Sequence, residues 1–123
     1  MRMDRVAFIT TESGDDLILA FAVQDLEDPS EIESLILLRT PKYEFIVEEA
    51  ERGVSVSFER YPDEENDYLR AVEYLEAEST VRLKTLAREY ELDVRKVDAN
   101  ELKKMRQILR KMNYDQKFQT SGV

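Results

Sequence analysis

The chain has 123 residues, 42% of them apolar and 37% charged, with a formal charge of −9 and neither cysteine nor histidine. That length supports one hydrophobic core and leaves no room for a second. The missing residue types exclude a disulfide framework, a thiolate nucleophile, a Ser-His or Cys-His pair and a zinc site of the usual kind. No apolar run approaches the roughly eighteen residues of a spanning helix, and no basic-then-apolar leader follows Met1, so a cytoplasmic protein is expected.

Charge is unevenly spread. Residues 1–67 carry 18 acids against 6 bases, and residues 68–123 carry 9 acids against 12 bases. Between Glu12 and Leu38 stand eight acids and no base. Such a face repels nucleic acid and anionic membrane and attracts basic protein. It also serves simply as a solvated surface that keeps a protein dispersed.

In chain order, Arg5-Val6-Ala7-Phe8-Ile9 reads as a short strand, Ser13-Gly14-Asp15-Asp16 as a turn, and residues 17–23 as the return strand of a hairpin. The return strand is apolar on both faces, which predicts a central position covered on each side. Asp25 to Ser30 is a polar loop containing Pro29. Residues 33–39 then read as a third strand. A helix starting near Pro29 is the alternative, and Pro41 would end it too early. Tyr43, Phe45 and Val47 alternate with Glu44, Ile46 and Glu48, a strand-like period. Residues 54–59 are the cleanest amphipathic strand, with Val54, Val56 and Phe58 inward and Ser55 and Ser57 outward. Gly53 before it supplies the positive φ that a tight connection needs.

Residues 61–67 form a loop. Its Asp63, Glu65, Asp67 spacing faintly resembles a calcium loop but lacks the glycine and terminal glutamate such a loop requires. Residues 68–89 carry two periods at once. Leu69, Val72, Leu75, Ser79, Leu83, Leu86 and Tyr90 trace a helical stripe, while Val72 and Tyr74, then Val81, Leu83 and Thr85, alternate as strands around a polar Glu78-Ser79-Thr80. Tyr90, Leu92 and Val94 alternate with Glu91, Asp93 and Arg95 as a half-buried strand. The period then switches: Leu102, Met105, Leu109 and Met112 recur at three- and four-residue steps through a helix over residues 101–112. Asp98 or Asn100 can cap this helix, and the lysines and arginines from Lys103 to Lys111 favour its C-terminal end. Residues 114–123 lose all pattern and read as a frayed tail outside a single domain of residues 1–113, although Tyr114 and Phe118 are candidates to dock.

The order of these segments, with Glu33-Ser34-Leu35-Ile36-Leu37-Leu38-Arg39 and the ending Tyr90-Glu91-Leu92-Asp93-Val94 followed by the helix at Glu101 as its best parts, resembles the tenth-numbered immunity protein family of bacterial polymorphic toxin systems. The resemblance covers residues 30–112. It implies that residues 69–77 and 81–86 are two strands rather than one helix. It further implies an α+β fold, mainly an antiparallel sheet of about six to seven strands with one C-terminal helix packed on it. The function implied is non-enzymatic: binding and neutralising a cognate toxin domain, with no catalytic residue, metal or cofactor to carry over.

On that reading the partner-binding residues are Asp25, Glu27, Asp28, Glu31 and Glu33, which would steer a basic toxin domain, with Tyr43, Tyr61 and Tyr68 as aromatic anchors. An enzyme is disfavoured, because the carboxylates fall on strand outsides and in loops, where solvation keeps their chemistry ordinary. Nucleic-acid binding through Lys103, Lys104, Arg106, Arg110 and Lys111 conflicts with the charge elsewhere. A structural or self-associating module, monomer or homodimer, is the remaining alternative.

Overall fold

A computed structural model describes residues 3–123, Ala50 without its side chain. Eight strands and one α-helix are arranged in the order β1 (Met3–Ser13), β2 (Leu17–Gln24), β3 (Ile32–Arg39), β4 (Ser55–Phe58), β5 (Leu69–Leu75), β6 (Thr80–Thr85), β7 (Glu89–Asp93), α1 (Ala99–Met112) and β8 (Gln119–Ser121). The fold is α+β. The sheet runs β4-β3-β2-β1-β7-β6-β5-β8, with β1–β7 and β5–β8 parallel and the other neighbours antiparallel, so it is mixed and has one strand more than expected.

The sheet curls until β4 meets the start of β5. Ser55 of β4 bridges Tyr68 just before β5, flanked by the Val56 N–H donating to the Asp67 carbonyl and the Leu69 N–H donating to the Val54 carbonyl, both at 2.9 Å. This bridge covers part of the β4 edge, which would otherwise be prone to unwanted pairing. Inside lie Leu19, Phe21, Leu35, Leu37, Val56, Phe58, Val72, Leu83 and Leu92, every one from the inward parity of its strand.

The ring is not strand all the way round. Antiparallel to β2 from Val6 to Ser13, β1 pairs with β7 only over Met3 to Arg5. Past the register shift between Val6 and Phe8, α1 takes the place of β7. There Glu101 accepts the Ile9 backbone N–H at 2.6 Å, satisfying a donor that no strand reaches. Met105, Ile108, Leu109 and Met112 fill the interior from the helix, all buried. Asp98 is the N-cap and accepts from the Asn100 N–H at 2.7 Å. No helix among the described residues is long and apolar enough to cross a membrane.

The doubly periodic middle is pleated. Glu76–Glu78 form a short 3-10 turn, and Ser79, at φ +51°, reverses the chain from β5 into β6. Two segments differ from the sequence expectation. The alternation at Tyr43–Glu48 is no strand: Pro41–Ile46 form a 3-10 helix with no buried residue. Proline at its start presets φ and removes a ladder donor, and nothing lies opposite for a strand to pair with. Second, the residues read as a frayed tail hold a strand: β8 runs beside Ala71, Val72 and Glu73 of β5, and Phe118 is buried in the core. Three residues are too few to show a period.

Candidate binding surface

Arg39 is the largest fully buried side chain among the described residues. It ends β3 on the inward parity, after Leu35 and Leu37, where the C-terminus of α1 leaves backbone carbonyls without intrahelical partners. All five of its N–H groups are used. Nε and Nη2 donate to the two carboxylate oxygens of Glu44 at 2.7 and 2.9 Å, Nη1 and Nη2 to those of Asp115 at 2.8 and 2.7 Å, and Nη1 also to the Met112 carbonyl at 2.7 Å. Tyr114 stacks on the guanidinium, 4.3 Å from it to the ring centre. Burial opposes the charge, but the bonds and charges of Glu44 and Asp115 more than reverse this and hold Arg39 protonated well above its ordinary pKa. The hydrogen bond from Arg39 keeps Asp115 below the usual carboxylate range, against some burial.

This clamp positions the segment immediately after Arg39. Pro41–Ile46 is tethered through Glu44 and holds apolar side chains out to solvent: Phe45 is 76% exposed, Ile46 68% and Tyr43 54%. Val47, Leu38 and Tyr114 are exposed beside them. Monomeric proteins rarely expose adjoining large apolar side chains without a use, and here the backbone beneath is pinned by a two-carboxylate arginine. Between this shelf and the start of β5 lies a groove of about 230 Å³, lined by Leu38, Tyr43, Val47, Ser55, Tyr68 and Glu51.

The expected site residues fall at two ends of the molecule. Tyr43 and Tyr68 share the groove. Tyr61 does not join them. It is half-buried, edge-on to Phe58 at 5.7 Å, with the Arg88 guanidinium 3.5 Å from its ring centre. Asp25, Glu27, Asp28, Glu31 and Glu33 occupy the β2–β3 connection and the first residues of β3, separated from the shelf by the length of that strand, roughly 25 Å. Their carboxylates are not equally free. Asp25 accepts the Glu27 and Asp28 N–H groups at 2.9 and 3.1 Å, Asp28 accepts both the N–H and hydroxyl of Ser30, and Glu33 pairs with Arg60 at 2.8 Å. The two bonds from Ser30 lower the Asp28 pKa. Glu27 and Glu31 are left exposed for a partner.

Phe45 and Ile46 are the shelf residues that the period-two reading missed as site candidates. Their signal was present: a proline two residues past the strand's end, then a glutamate five residues beyond an inward arginine. Of the three loop acids with calcium-like spacing, Asp67 is buried, accepting the Thr85 hydroxyl at 2.7 Å and the Ala87 N–H at 3.0 Å, so its carboxylate shapes the β6–β7 turn. A larger hollow, about 510 Å³ over β5 to β8, is crossed by a charge ladder in which Arg82 reaches Glu73 at 3.2 Å and Glu91 at 3.8 Å. Among the described residues no group of three or more Asp or Glu side chains is placed to hold a metal ion.

Comparison of the chain with protein-family models, with curated proteins and with solved structures returns no match.

Proposed function

We propose that this protein is a non-enzymatic binding module that captures a basic protein domain, and that the domain is a bacterial toxin it neutralises in the cytoplasm of the producing cell. The observation that carries the binding reading is the shelf of Tyr43, Phe45 and Ile46, solvent-exposed yet locked in place by the buried Arg39. Preorganised aromatic and aliphatic anchors bind with little ordering cost, and such anchors dominate interface energetics. The net charge of −9 favours a basic partner and speeds its approach. The toxin assignment rests on the resemblance of the segment order to that of the immunity proteins.

Co-expression with the toxin domain encoded beside this gene tests the proposal. Growth rescue together with a stoichiometric complex is expected, and Phe45→Ser combined with Ile46→Ser should weaken that complex by at least a hundredfold, measured by calorimetry. Neither rescue nor complex would overturn the toxin assignment. An unchanged affinity in the double variant would remove the shelf.

A further inference from the structure

The return strand β2, apolar on both faces, turns one of them into the core, while on the other Ala22 is buried and Ile18 and Ala20 stay partly exposed. The register places Phe8, Ala22, Ala20, Ile18, Ile36 and Leu38 together on the outer face of β1, β2 and β3, with Phe8 opposite Ala22, Ile36 opposite Ala20 and Leu38 opposite Ile18. Ser57 and Ser55 of β4 lie opposite Ile36 and Leu38 and continue that face. The helix packs on the other side, against Thr11 and Ser13 of the inward parity, and no other element among the described residues reaches the outer face in quantity. Phe8 is 44% exposed, and Leu38 leads directly into the groove beneath Tyr43 and Val47.

We infer that this outer face and the shelf form one continuous docking surface, whose occupant is a basic protein presenting an apolar helix or strand face bordered by lysines or arginines. The inference rests on the binding-module reading and not on the toxin. Two arguments select the occupant. The first is extent: four strands about 4.8 Å apart with three outward residues each span roughly 400 Å², about half of the ~800 Å² per partner in a standard interface. The outer face alone falls short of such an interface, and the adjoining shelf, joined to it through Leu38, extends it. The second is charge. The centre is neutral, while its frame holds Glu12, Asp15, Asp16, Glu48, Glu49 and Glu51 against Lys42, itself paired with Asp15, Arg52, which donates to the Val47 carbonyl, and Lys117, which donates to the Glu49 carbonyl. A second copy would bring the same acids and the same −9 against this frame, whereas flanking lysines complement it.

The probe is an 18-residue amphipathic leucine–lysine helix, with a leucine–glutamate helix of the same pattern as control, mapped on the full chain by backbone amide shifts. The leucine–lysine peptide is expected to move amides of residues 18–22, 34–38 and 41–47, and the control to move none. Ser57→Arg adds a cation to the outer face at an exposed position without touching the core, and should weaken binding at least tenfold with native dispersion kept. Shifts confined to residues 25–31, an unaffected Ser57→Arg variant, or no binding would each overturn the inference. So would a concentration-dependent dimer that Ser57→Arg abolishes, since that assigns the face to a second copy. Peptide docking without toxin rescue removes the toxin alone, and rescue without docking removes this surface alone.

Discussion

At Arg39, one side chain ties three pieces of chain that are distant in sequence: the end of β3, the turn carrying Glu44, and the segment after α1 carrying Asp115. Replacing it with alanine leaves two carboxylates facing each other without their cation. Because Glu44 and Asp115 keep 13% and 33% side-chain exposure, water relieves part of the loss. The expected destabilisation is at the lower end of the about 3–5 kcal/mol typical of breaking a buried pair, readable by urea denaturation. Lysine will not restore it, because a single ammonium cannot make five bonds in a fork. The same cluster sets acid sensitivity. Asp115 has a lowered pKa in the fold, so its contribution is present above the ordinary carboxylate value and is lost as pH falls below about 4. At the other extreme, burial and then the nearby Asp67 and Glu64 charges push the Tyr90 phenol up to about 12. Raised in the fold, it contributes stability fully present below about pH 10 and lost as pH rises through 12. Absorbance titration near 295 nm should show Tyr90 ionising late, with unfolding accompanying it, and Tyr90→Phe should remove that step while leaving the raised ionisation of Tyr114.

Among the elements, β8 is the shortest and the most dependent on a single residue. Gly122, at φ +74°, follows it so closely over β5 that a Cβ would collide with the Tyr74 carbonyl. Gly122→Ala is expected to undock β8 at a cost of about 1–3 kcal/mol while leaving the rest folded, seen as faster amide exchange at Ala71 to Glu73 with the exchange of β2 unchanged. The middle of the chain shows how far pattern reaches. Val72 and Tyr74 of β5 and Val81, Leu83 and Thr85 of β6 are all buried, as the alternation predicts. The competing helical stripe was equally visible in the same residues. What excludes it is the placement of Ser79 in a left-handed turn, which lets both strands bury one face against a shared interior.

Across the whole molecule, the negative charge is concentrated in the half that builds β1 to β4 and their connections, which is also the half bearing the shelf and the partly exposed outer face. On the proposed binding reading, attraction to a basic partner would act on that half of the molecule. Among the described residues, the Glu27 and Glu31 carboxylates make no hydrogen bond that shapes their turn, unlike those of Asp25 and Asp28. Changing both to lysine should slow association with a basic partner about tenfold at low salt and flatten its salt dependence, with dissociation unchanged. Stopped-flow measurement at two ionic strengths checks it.

The amino-acid order by itself determined the α+β class, the strands of the first hairpin, the capped helix and the acidic bias, because each is written in contiguous residues as a period, a turn or a charge count; over residues 68–89 it left strand and helix periods side by side. It also marked β2 as apolar on both sides. Only the tertiary structure decided that β4 meets β5, that α1 replaces β7 beside β1, that Tyr61 is set apart from Tyr43 and Tyr68, and that one face of β2 stays partly exposed. Those are outcomes of long-range pairing, in which residues tens of positions apart compete for the same edge or the same interior volume. Arg39 shows the difference most plainly: in sequence it is a charge at a strand's end, and only the approach of Glu44, Met112 and Asp115 from three directions makes burying it favourable.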